Sequence, residues 1–207
     1  MPVPMLVGSV GFMLGTGGSA IVGITLGEGD REKADRYFSL FVWTGLVAGL
    51  LLAVVGFFAV RPAASLLGAK GEMLDYAVRY GRLLMACLPF FILQNMFQSF
   101  FVTAEKPHLG FAFTVAAGVT NMVLDVVLVG MLHGGVEGAA IATFISQAVG
   151  GVLPVFYFLN KRSTSSIHLG RAQWNGGVIR SACINGSSEL MTNLSMSLVN
   201  ILYNYQL

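Results

Sequence analysis

Charge is what this sequence lacks. Lys, Arg, Asp and Glu supply 11% of the 207 residues, less than half of the roughly one quarter usual in soluble domains. Apolar residues supply 55% and the mean hydropathy is +0.74, which excludes the soluble globular class. The formal net charge is only +2, and no basic block of the kind that engages nucleic acid is present. Cysteine is nearly missing: Cys87 and Cys183 stand far apart in apolar runs without CxxC spacing. That argues for buried thiols and against a disulfide or a metal site. No HExxH or GxSxG occurs, and His108, His133 and His168 all fall in turns or loops. An intramembrane enzyme would need a nucleophile with its base, or a set of metal ligands, so no catalytic residue, metal or organic cofactor is expected. No basic stretch followed by a small-residue cleavage site opens the chain, so no signal peptide is expected.

Long apolar runs are there instead. Spans are predicted over 3–26, 37–60, 83–102, 109–132 and 139–159, and a sixth opens near 178 and is still apolar at 207. Runs of about twenty apolar residues cross a bilayer as helices, and several of them make an all-α, polytopic membrane bundle. The 26 glycines suit close helix packing, with Gly11 and Gly15, then Gly45 and Gly49, at GxxxG spacing. Arg61-Pro62 closes the second span, and 61–82 reads as short amphipathic helices at the interface, with Tyr76, Arg79, Tyr80 and Arg82 as headgroup anchors. Pro89 is expected to kink the third span in its first third and Pro154 to bend the fifth. The polar stretch 161–177 reads as a loop, and the apolar ending at 207 predicts a chain that continues beyond both ends. Eight Lys and Arg lie in the 27–36 loop, the Lys106 turn and 161–180, against Arg61, Lys70, Arg79 and Arg82 on the other side. That asymmetry places the 27–36 loop in the cytoplasm.

Three successive spans carry polar pairs four residues apart: Gln94 with Gln98, Asn121 with Asp125, and Thr143 with Gln147. Such pairs lie about 40° apart around a helix, on one face. Asp125 stands about seven residues before the end of its span, roughly 10 Å deep, and Thr143 about five residues into the next, roughly 8 Å deep from the same side. A short turn makes the two helices antiparallel neighbours, so the side chains can meet. Amides and hydroxyls alone would read as interhelical glue. An acid in hydrocarbon costs roughly 2.5–3.5 kcal/mol on insertion scales, and oxygen ligands around it suit a proton or a hard cation such as Na⁺. Gln94, Gln98 and Gln147 are candidate cavity-lining residues. Glu189 is a second acid in an apolar setting, either lining the cavity or standing in the first turn of the sixth helix, with Asn185, Ser187 or Ser188 as its cap.

These motifs have a family likeness. GITLGEGDREKADR after a Gly-rich helix resembles the loop between the second and third helices of the multidrug and toxic compound extrusion (MATE) transporters. LLGAKGEMLDYAVRYGR before LPF resembles the approach to their fourth helix, and TAEKPHLG their next turn, with Glu105-Lys106 where glycine is commoner. TNMVLDVVLV followed by GVEGAAIATFISQ is similar to the family's Asn-x3-Asp helix and the start of the helix after it, and GSSELMTNLSMSLVNILYNYQL to the seventh helix, where a second lobe begins. The resemblance implies helices two to seven of twelve: a partial MATE-type N-lobe over 1–160, a cytoplasmic inter-lobe loop over 161–177, and the first helix of the C-lobe over 178–207. It implies a secondary antiporter of a bacterial inner membrane, monomeric when full length, exporting cationic or amphipathic drugs in exchange for Na⁺ or H⁺. In members with an N-lobe ion site, the matching positions make Asn121, Asp125 and Thr143 cation ligands. A lipid-linked saccharide flippase of the same superfamily and an inactive truncated fragment are the alternatives.

Overall fold

The structure is a computed structural model and describes residues 2–66, 70–160 and 165–206. It is all helical there: α1 (Pro2–Gly27), α2 (Arg31–Leu66), α3 (Glu72–Ala86), α4 (Leu88–Thr103), α5 (Pro107–Asp125) continued by a π-helical turn (Val126–Met131), α6 (Gly135–Leu159), α7 (Gly176–Asn185) and α8 (Ser187–Gln206). Among the described residues, Gly8–Gly27, Arg31–Pro62, Pro107–Met131 and Gly135–Leu159 are long and apolar enough to cross a membrane, and α3 with α4 makes a fifth crossing bent by 44°.

The glycines of α1 set how the helices meet. With no side chain at Gly11, its backbone lies on that of α4, where a Cβ would come within 2.8 Å of the Ile92 carbonyl oxygen. At Gly15 a Cβ would stand 3.0 Å from Met96 Cα. Gly49 of α2 does the same against Pro89. On its other side α1 touches α7 and α8, with Gly17 against the Ala182 carbonyl and Gly186 against that of Met13. Helices in lipid gain little from burying apolar groups, so this close backbone approach is what dispersion forces need.

A knot of aromatic rings fills the bundle at the end near the 27–36 loop. Phe38, Phe41, Phe97, Phe100, Phe101 and Phe158 are all buried to within 1%. Phe38 lies 4.8 Å, centroid to centroid, from both Phe100 and Phe158, and Phe101 lies 4.9 Å from Phe158. Leu50, Leu51, Val54 and Phe58 of α2 point outward, where lipid meets them.

Three sequence expectations change. Pro89 does not kink a continuous helix: α3 runs through to Ala86, the chain breaks at Cys87, and Pro89 occupies the first turn of α4, where its missing N–H leaves no bond unmade. The stretch 61–82 yields one 15-residue amphipathic helix that continues into the predicted third span, while α2 itself passes Pro62 and ends at Leu66; residues 67–69 lie outside the described chain. The sixth span is two helices, because α7 closes at Gly186 and α8 restarts at Ser187.

The α4–α5 turn holds Glu105 at φ 59°, the left-handed region. A side chain there costs about 1–2 kcal/mol. Glu105→Gly is therefore expected to stabilise the fold by about 1 kcal/mol after glycine's own entropy cost, read as a higher midpoint of thermal unfolding in detergent.

Candidate functional site

Asp125 is the last α-helical residue of α5. Beyond it the helix widens: Leu132 N–H reaches back five residues to the Val127 carbonyl at 2.9 Å. The Leu128 carbonyl accepts from Gly134 N–H at 2.8 Å, and the same oxygen rests against Gly138, where a Cβ would lie 3.0 Å away. The absence of side chains at Gly134 and Gly138 thus clamps the end of α5 to the start of α6. π-turns of this kind gather at functional sites.

Asp125 is half-buried, and its Oδ1 is fully enclosed with no hydrogen-bond donor. Two more acceptors share that state, Gln94 Oε1 on α4 and Gln147 Oε1 on α6. The Gln94 amide lies on α6 at Gly150, where a Cβ would meet its Cδ at 2.7 Å, one turn beyond Gln147. Three neighbouring helices therefore each present a buried oxygen that nothing in the described chain satisfies. A buried acceptor without a donor costs about 1–3 kcal/mol, and a proton, a cation or a donor-bearing ligand removes that cost.

The remaining predicted residues fall into place unequally. Thr143 Oγ1 donates to the Ala139 carbonyl of its own helix at 2.9 Å, so its proton does not reach Asp125. Its oxygen lone pairs stay available, which makes Thr143 an acceptor toward any ligand. Asn121 sits half-buried one turn before Asp125. Gln98 parts from Gln94: it is exposed and its Nε2 donates to Thr114 Oγ1 of α5 at 3.1 Å. Glu189 stands half-buried in the first turn of α8. Ser187 sends its hydroxyl proton back to the Ile184 carbonyl at 2.7 Å. No group of three or more His, Cys, Asp or Glu able to hold a metal forms among the described residues.

Sequence reasoning passed over Asn95, a buried polar side chain whose Nδ2 has no acceptor. The signal was its place beside Gln94, off the face that the four-residue spacing selected. It also passed over the π-turn, which no local composition announces.

Comparison with known proteins places this geometry. The MatE family pattern matches residues 1–127. The multidrug export protein MepA of Staphylococcus haemolyticus is 31% identical over 84% of the chain, which spans 38% of that protein's length. The MATE multidrug transporter DinF-BH, solved with a drug bound, superposes with a TM-score of 0.88 at 29% identity over 99% of the chain and 46% of its own. An inward-facing multidrug resistance MATE transporter of the MOP superfamily gives the same TM-score, 0.88, at 24% identity, covering 96% and 45%. The chain thus spans less than half the length of the relatives it matches. With these matches added to the helical order, the chain belongs to the MatE family of multidrug and toxic compound extrusion transporters, which are membrane carriers and not enzymes.

Proposed function

We propose that this chain forms the first bundle of a secondary antiporter in a bacterial inner membrane, which exports cationic or amphipathic compounds in exchange for Na⁺ or H⁺. The observation that carries the reading is the enclosed, donorless Asp125 Oδ1. Around it, Asn121 and Thr143 offer only oxygens and an amide, a set that suits a proton or a hard cation. Two relatives support the choice of cargo, the export protein MepA by its name and DinF-BH by the drug in its complex.

Coupling follows from exchange at one carboxylate. An ion at Asp125 satisfies its lone pairs and stabilises one conformation of the bundle, while cargo in the cleft stabilises another, so each displaces the other across the membrane. Gln94 Oε1 and Gln147 Oε1 then serve as acceptors for donor groups on the cargo. Dye efflux from vesicles containing the whole gene product, with the Na⁺ and H⁺ gradients imposed separately, tests this. One gradient is expected to drive efflux and its collapse to stop it; efflux indifferent to both gradients refutes the antiport.

A further inference from the structure

The segment between α6 and α7 is held down along half its length. Ile167 is fully buried among the aromatic rings. Leu169 N–H donates to the Phe158 carbonyl at the end of α6 at 2.9 Å. His168 N–H donates to Asp35 Oδ1 at 2.7 Å, and Gly170 N–H to Ser39 Oγ at 2.8 Å. Asp35 and Ser39 are one turn apart on α2, and the Ser39 proton goes to the Asp35 carbonyl at 2.7 Å, leaving the oxygen's lone pairs for Gly170. Ser165 Oγ accepts from Ile167 N–H at 3.3 Å and shapes the entry.

Past Gly170 the attachment thins out. One exposed contact remains, Arg36 Nη1 to Gln173 Oε1 at 3.3 Å, and Trp174 is 78% exposed. Asn175 then opens α7, its Oδ1 accepting from Gly177 N–H at 3.1 Å and Val178 N–H at 3.4 Å, followed by Gly176 and Gly177.

We propose that residues 165–170 are a fixed part of the first bundle, strapped to α2 by Asp35 and Ser39, and that the second lobe turns about 171–177. This rests on the two-lobe transporter reading above. Peeling the strap away would expose Ile167 and strand two backbone N–H groups together with a carboxylate. Turning beyond Gly170 breaks one long surface bond. The cheaper motion lies after the strap, so the inter-lobe connector is short and stiff where its polar sequence suggests a long tether.

The test uses the whole gene product with Cys87→Ser and Cys183→Ser, carrying Ser39→Cys with Gly170→Cys. A Cβ at Gly170 meets nothing within 4 Å, so the pair is unobstructed. The expected result is a disulfide that forms on mild oxidation and leaves dye efflux within threefold of the reduced protein. A pair that fails to cross-link, or a larger loss restored by dithiothreitol, overturns the strap. Spin labels read the strap independently of efflux. The Val47–Gly170 distance is expected to stay constant across Na⁺, low pH and dye, while Gly170–Ser181 shifts. A change in the first pair, or none in the second, overturns the proposal, whereas absent efflux from the reduced protein counts against the transporter reading instead.

Discussion

Asp125→Asn is expected to abolish ion-coupled efflux while leaving the amount of inserted protein unchanged. The substitution keeps the shape of the side chain and removes its charge, so the site loses its only carboxylate on α5 while packing between α5 and α6 is preserved. Insertion does not suffer, because an acid at depth costs roughly 2.5–3.5 kcal/mol that an amide largely avoids. Efflux at a fixed ion gradient should fall at least about tenfold, a loss equivalent to 1.4 kcal/mol of ion binding. Thr143→Val, which deletes the lone pairs that its bond to Ala139 leaves free, should weaken the dependence on the driving ion, and Thr143→Ser should restore it. Undiminished efflux by the Asp125→Asn protein, measured in vesicles at matched protein levels, would retire the site.

Phe158→Ala should be the most damaging core change. Phe158 is fully buried and packs against Phe38, Phe97, Phe101 and Tyr157, and its carbonyl holds Leu169. Removing a ring from such a place costs about 3–5 kcal/mol. Phe58→Ala is the control, since that ring is 72% exposed to the lipid side and should lose under about 1 kcal/mol. Thermal unfolding in detergent separates the two, and equal losses would show that the aromatic knot does not hold the bundle together.

Much of the fold was readable because lipid imposes strong rules. A run of apolar residues bounded by GEGDREKADR or HGGVEG has few structures open to it, and the all-helical bundle follows from that alone. Gly11 and Gly15 announced close packing by their spacing. Their partner, α4, could not be read, since the contact joins residues far apart in sequence. The break at Cys87 was hidden because a proline near a helix start and one in its interior look alike until the preceding residue's geometry is known. At the site, the types of residue were legible and the direction of the bonds was not. Thr143 follows the usual habit of helical threonines, giving its proton to the carbonyl four residues back, and that habit could have been anticipated. The unmet oxygens of Gln94 and Gln147 could not, because being unmet depends on every neighbour at once.

The π-turn after Asp125 has a consequence for how this part of the molecule tolerates changes of length. A π-turn holds one residue more than the α-helical path it replaces. Losing a single residue within Val126–Met131 could be absorbed by rewinding, with the polar side chains upstream keeping their facing. The same deletion in the middle of α6 would swing everything beyond it by about 100°. Single-residue insertions and deletions between natural variants should therefore collect just after the acid and be purged from the helix opposite.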